Sequence, residues 1–212
     1  MKYKGIIFDL DGVICSTDEY HYLAWKALAD RLGIPFDRER NNLLRGVSRA
    51  ESLEIILEKA DRTYSETEKA AFAEEKNKLY RELLGQMSPA DLPDNVKSTL
   101  ETARNRGMKL AIGSSSKNTP FILERIGLGS FFDAVADGNC ITRSKPDPEV
   151  FLKAAEMIGL YPGDCVVVED AHAGVEAATA GRFDCAAIGD AREDRRAKWH
   201  LKEFPDILQC VM

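Results

Sequence analysis

Short apolar runs that alternate with helical patterns constrain the fold of this chain more than any other feature. Residues 5–8, 108–112, 132–136, 165–168 and 185–188 each read as a strand. Helical patterns over residues 120–126, 148–158 and 173–180 separate the later runs. Strands that lack polar alternation are buried on both faces, and strands joined through helices run parallel. The expected fold is α/β, a Rossmann-like parallel sheet with helices on both faces.

Residues 17–87 break this rhythm. Residues 19–32, 48–60 and 66–84 read as helices with no strand between them. The first strand therefore leads into an all-helical insertion, and the sheet resumes beyond it. This predicts a core domain of residues 1–16 and 88–212 and a helical cap of residues 17–87. With 212 residues, 44% of them hydrophobic, the chain is long and apolar enough for both. The insertion leaves at the carboxyl end of the first strand, so it is expected to hang over that end as a lid.

The strand ends carry the chemistry. Asp9-Leu10-Asp11-Gly12 follows the first run, which sets a pair of carboxylates where open α/β sheets hold their ligands. Such close acids repel each other unless a cation or a shared proton intervenes. Gly113-Ser114-Ser115-Ser116-Lys117-Asn118 follows the second run and precedes a helix, an arrangement suited to an anion, although Ser/Asn clusters also cap helices. Lys145 stands just ahead of another helix, and Glu169-Asp170 ends an otherwise apolar strand. Hard oxygen ligands of this kind suit Mg²⁺.

The coincidence of these motifs resembles the haloacid dehalogenase superfamily of phosphotransferases over nearly the whole chain. The resemblance implies that Asp9 is a nucleophile that becomes phosphorylated, while Asp11 moves protons to and from the reacting oxygens. Ser114 and Lys145 would stabilise the phosphoryl oxygens. Asp9, Asp11 through its backbone carbonyl, Glu169 and Asp170 would hold Mg²⁺.

The lid sharpens this. His21, Trp25, the run Leu44-Arg45-Gly46-Val47-Ser48-Arg49, Lys76 and Ser116-Lys117-Asn118 resemble the β-phosphoglucomutase family within that superfamily. The implied substrate-binding set is His21, Trp25, Leu44, Gly46, Val47, Ser48, Arg49, Lys76, Ser115, Ser116, Lys117 and Asn118. Arg49 would grip a phosphate that is not reacting, with Ser116, Lys117 and Asn118 completing the grip. The implied reaction converts β-D-glucose 1-phosphate to glucose 6-phosphate, with Mg²⁺ as cofactor and glucose 1,6-bisphosphate as activator. A sugar-phosphate phosphatase, a mutase for another sugar phosphate and a silent sugar-phosphate sensor stay open as alternatives. Many relatives have an acid where Ser16 stands, and related mutases often have lysine where Arg45 stands.

Local readings compete at several positions. Arg49 could simply pair with Glu51, Lys76 could be an ordinary helix-face charge beside Glu74 and Glu75, and Trp25 could be lid core. His172 reads as a helix-start residue rather than a ligand. Residues 190–198 are dense in charge and read as a solvated loop. The five cysteines include no C-x-x-C pair, which argues against a disulfide framework and structural zinc. Cys165 and Cys185 sit in apolar runs as core residues, and nothing beside Cys15 activates its thiol. The net charge of −6 argues against nucleic acid and acidic membranes as partners. With no transmembrane or signal segment, the chain is expected to be cytoplasmic, and a monomer acting on small sugar phosphates.

Overall fold

The computed structural model describes residues 2–45 and 47–211. Strand β1 (Gly5–Phe8) leads into helices α1 (Asp18–Leu32), α2 (Arg38–Asn42), α3 (Arg49–Leu57) and α4 (Glu66–Leu84). The chain then alternates through α5 (Asp94–Asn105), β2 (Lys109–Gly113), α6 (Thr119–Arg125), β3 (Ala134–Ala136), α7 (Glu149–Met157), β4 (Cys165–Glu169), α8 (His172–Ala180), β5 (Asp184–Ala187), β6 (Trp199–His200) and α9 (Ile207–Cys210). All strand pairs are parallel, in the order β3-β2-β1-β4-β5-β6. The chain winds outward from β1 to β3, then crosses back to β4 on the other side of β1. The crevice beyond the carboxyl ends of β1 and β4 is thus the switch point of the sheet.

Two apolar layers sandwich the sheet. Ile6, Phe8, Leu110, Ile112, Val166 and Val168 face one layer, while Ile7, Ala111, Cys165, Val167 and Cys185 face the other. Their period-two alternation is what a strand buried on both faces requires. The helices α1 to α4 enclose a third cluster around Trp25, Leu28, Phe36, Leu53, Ile56 and Phe72. Ser48 and Ser65 each form a capping box, with Glu51 and Glu68, and so start α3 and α4 at definite residues. Among the described residues, no helix is long and apolar enough to cross a membrane.

Several elements differ from the sequence reading. Helices α2 and α5 and the short edge strand β6 were not anticipated, and α3 ends at Leu57 rather than at residue 60. The solvated loop expected over residues 190–198 is instead partly packed. A 3₁₀ turn covers Gly189–Glu193, Ala191 and Ala197 are buried in the core, and Asp194 is 8% exposed. Asp194 accepts from Arg196 and from His172, so an internal ion pair offsets the cost of burying this charge. His172 opens α8, as expected. Cys165 and Cys185 are core residues, and burial pushes the Cys15 thiol well up, which leaves it inert.

Candidate active site

Asp9 leaves the end of β1 with its N–H donating to Val168 O at 2.9 Å, so the ladder to β4 holds its backbone. The Lys145 ammonium, 1% exposed, donates to Asp9 Oδ1 at 2.5 Å and to Glu169 Oε2 at 2.7 Å. Burial alone would lower the lysine, but both carboxylates outweigh it and keep it charged. The other Glu169 oxygen accepts from the Asp170 and Ala171 N–H groups. A glycine at position 174 makes room for this carboxylate, because a Cβ there would lie 2.0 Å from it.

Negative charge is in excess around these residues. Ligand oxygens of Asp9, Glu169 and Asp170 all lie within 4.8 Å of one another. Burial, then repulsion from neighbouring carboxylates, pushes Asp170 far up, and burial does the same to Asp9 against the pull of Lys145. Carboxylates that keep protons near neutral pH for lack of positive charge fit a divalent cation, and an all-oxygen set fits Mg²⁺. The Asp11 side chain lies outside this trio. Its Oδ1 accepts from the Thr17 N–H at 2.6 Å, and burial raises its carboxyl. A carboxyl whose hold on a proton is strengthened is suited to exchanging one with a reacting oxygen.

A second, cationic cluster faces the first. Helix α4 buries Phe72, Lys76, Tyr80 and Leu84, one residue per turn. Lys76 is therefore inside, 2% exposed, and not on the charged helix face. Its Nζ lies 2.9 Å from His21 Nδ1 and over the Trp25 and Tyr80 rings at 4.6 and 4.3 Å. Burial and then the charge of Arg49 depress the Lys76 ammonium. Arg49 does not pair with Glu51, whose carboxylate accepts from the Ser48 N–H at 2.9 Å. Among the described residues no ion pair involves Arg49. A buried lysine beside a half-buried arginine is the complement of an anion.

One cavity of about 750 Å³ joins both clusters. Asp9, Asp11, Ser114, Lys145, Glu169 and Asp170 line its core side. His21, Trp25, Leu44, Val47, Ser48, Arg49 and Lys76 line its cap side, with Ser115, Ser116, Lys117 and Asn118 between them. Gly46 lies outside the described residues. Trp25 serves both readings, since it packs in the cap cluster and lines the cavity. The 114–118 turn does not cap α6 through a side chain: Ser114 Oγ accepts from the Ser116 N–H and Ser116 Oγ from the Asn118 N–H, bonds inside the turn, while the buried Ser115 Oγ has no partner among the described residues.

Tyr80 escaped the sequence reading, and so did the contact that Arg45 makes. Tyr80 donates to Thr17 Oγ1, and the four-residue spacing of the buried α4 stripe could have revealed it. Arg45 crosses from cap to core at the cavity mouth, donating to Asp18 at 3.0 Å and to Asp190. No local pattern signals that contact.

The model of haloacid dehalogenase-like hydrolases matches residues 3–182. The chain belongs to that family. It is 41% identical to a β-phosphoglucomutase of Bacillus subtilis, over 96% of this chain and 91% of that one. It is 33% identical to a fructose-1-phosphate phosphatase of Escherichia coli, over 88% of this chain and 97% of the other. Its fold matches a β-phosphoglucomutase crystal structure from Clostridium difficile at TM-score 0.92 and 34% identity, covering 99% and 96% of the two chains. As a member of the haloacid dehalogenase-like family, this protein is an enzyme, and its inserted helices are the cap of that fold.

Proposed function

We propose that this enzyme is a β-phosphoglucomutase, which interconverts β-D-glucose 1-phosphate and glucose 6-phosphate through glucose 1,6-bisphosphate. The observation that carries the reading is the single cavity with an acid–lysine cluster on its core side and unpaired cations on its cap side. A sugar bisphosphate needs such a divided site, with one phosphate reacting while the other is held. The high identity to a mutase adds support.

Asp9 is the nucleophile and carries the phosphoryl group. The C6 hydroxyl of β-glucose 1-phosphate attacks phosphorus, the acyl-phosphate P–O bond breaks, and its electron pair returns to the Asp9 carboxylate. Asp11 takes the hydroxyl proton. After the bisphosphate turns around, Asp9 attacks the C1 phosphate and Asp11 gives its proton to the departing C1 oxygen. Asp9, Glu169 and Asp170, with the Asp11 carbonyl, hold Mg²⁺, which when bound neutralises phosphate charge that would repel the nucleophile. Lys145 and Ser114 stabilise the transferring oxygens, and Arg49, Ser116, Lys117 and Asn118 hold the other phosphate. His21 and Lys76 join cap closure to the sugar, and Leu44, Val47 and Ser48 shape the mouth. We assign the cap to residues 17–87 and read the enzyme as a cytoplasmic monomer.

The test supplies β-glucose 1-phosphate with Mg²⁺ and a trace of the bisphosphate, and follows glucose 6-phosphate and free phosphate. Fast isomerisation with little free phosphate is expected. Stoichiometric phosphate release without glucose 6-phosphate would replace the mutase with a phosphatase, the activity of the Escherichia coli relative. Absence of turnover on any sugar phosphate would leave only a sensor.

A further inference from the structure

The amide of Asn118 is held from across the domain junction. Asn118 lies in the core turn before α6, is 5% exposed and lines the cavity. Its Oδ1 accepts from Arg81 Nη1 at 3.0 Å, and its Nδ2 donates to Asn77 Oδ1 at 3.0 Å. Asn77 and Arg81 stand one turn apart on cap helix α4, and neither lines the cavity. The Arg81 guanidinium is itself seated over the Phe121 ring, 4.6 Å from its centroid.

A guanidinium has donors only, so the Asn118 oxygen must turn toward Arg81 and the nitrogen away from it. The nitrogen carries two protons, and Asn77 takes one. The other N–H remains for the cavity. Without Arg81 nothing distinguishes the two faces of the amide. A flipped Asn118 would present oxygen, an acceptor, where an anion needs a donor.

We infer that Arg81 and Asn77 are positioning residues that orient the Asn118 amide from the cap, so that its spare N–H meets the non-reacting phosphate of the substrate. The inference rests on the phosphate-gripping role proposed for Asn118. Because the orienting pair belongs to α4 and the oriented group to the core, the grip is complete only in the cap position seen here.

The test measures binding of glucose 6-phosphate and of inorganic phosphate to the Mg²⁺-loaded enzyme by calorimetry. It compares wild type with Arg81→Met, Arg81→Lys, Asn118→Ala and the Arg81→Met/Asn118→Ala pair. Arg81→Met keeps an apolar stem on Phe121 and removes the donors, and thermal unfolding checks each fold. Glucose 6-phosphate binding should weaken about tenfold in Arg81→Met, the loss of one charge-assisted hydrogen bond. Arg81→Lys, which keeps one donor, should recover most of it. The double variant should bind no worse than Asn118→Ala alone, because both act through one amide. Binding by Arg81→Met within twofold of wild type, or additive losses in the double variant, would overturn the inference. Wild-type enzyme that binds glucose 6-phosphate without isomerising it sinks the mutase reading instead, and the Arg81 comparison is still decided by affinity.

Discussion

The Lys76 Nζ lies 2.9 Å from His21 Nδ1, within hydrogen-bond reach. When Lys76 is an ammonium it can only donate, and Nδ1 then accepts with the His21 proton on Nε2. Burial first, then the charges of Lys76 and Arg49, holds His21 well below its ordinary range, and the ring is neutral at physiological pH. The cap thus buries a lysine against a neutral imidazole and beside an arginine, with no carboxylate paired to it among the described residues.

That arrangement costs stability until an anion arrives. Lys76→Met fills the same volume without charge, and should raise ligand-free stability by about 1–3 kcal/mol. It should also weaken glucose 6-phosphate binding. Urea unfolding and calorimetry on the same samples check both effects. Loss of stability together with loss of binding would show that Lys76 is a structural residue.

Arg49 carries the clearest functional contrast. Arg49→Ala should lower isomerisation by about 100-fold, the scale of a lost bidentate phosphate contact. Hydrolysis of a small ester such as acetyl phosphate, which offers no second phosphate, should fall much less. Steady-state rates on both substrates decide this, and equal losses would remove Arg49 from the distal-phosphate site.

Mg²⁺ should stabilise the folded enzyme, and more so at higher pH. The Asp170 carboxyl is raised in the metal-free protein, mainly by burial, so the folded state binds more protons than the unfolded chain. Metal-free stability therefore falls as pH rises from the ordinary carboxylate range of about 3.9 toward the raised value. A cation that replaces the proton reverses this loss. The gain in thermal midpoint on adding Mg²⁺ should be larger at pH 8 than at pH 5, and Asp170→Asn should abolish most of it. A gain independent of pH would contradict the charge argument.

Gly174 is predicted to be irreplaceable. A Cβ there would sit 2.0 Å from Glu169 Cδ and Oε2. Glu169 is locked by Lys145 and by the Asp170 and Ala171 N–H groups, so it has no free path away. Gly174→Ala should destabilise by about 1–3 kcal/mol, the cost of overpacking, and should displace an Mg²⁺ ligand. Chemical denaturation with and without Mg²⁺ measures both; wild-type stability in the variant would refute the steric claim.

Asp194 should give the protein part of its acid sensitivity. Hydrogen bonds from Arg196 and His172 hold its carboxyl below the ordinary range. A depressed carboxyl contributes stability above its unfolded value of about 3.9, and loses it as pH falls through the folded value. Asp194→Asn should cost about 1–3 kcal/mol at pH 6 and progressively less toward pH 2. Urea midpoints at the two pH values test this, and a constant difference would rule out a titrating carboxylate.

Three of the positions proposed to carry the chemistry were legible because each stands at the end of an apolar strand, whereas Lys145 lies nine residues beyond β3. Asp9 after β1, Ser114 after β2 and Glu169-Asp170 at the end of β4 are local patterns, and a parallel sheet brings all such ends to one edge. The helical insertion was legible as a run of helical patterns with no apolar strand between them. Asp194 was misread because a charge-dense stretch looks the same in sequence whether water or an internal arginine solvates it.

The sequence by itself determined the parallel sheet, its helical insertion and the kind of chemistry its strand ends could carry. Only the tertiary structure decided that Lys76 faces inward, that Arg45 reaches Asp190, and that Asn77 and Arg81 hold Asn118. The physical reason is distance along the chain. Periodicity and strand-end placement act over a few residues, whereas these contacts join residues far apart: Lys76 meets His21 and Trp25 on another cap helix, and Arg45, Asn77 and Arg81 reach their partners only once the cap is packed against the core.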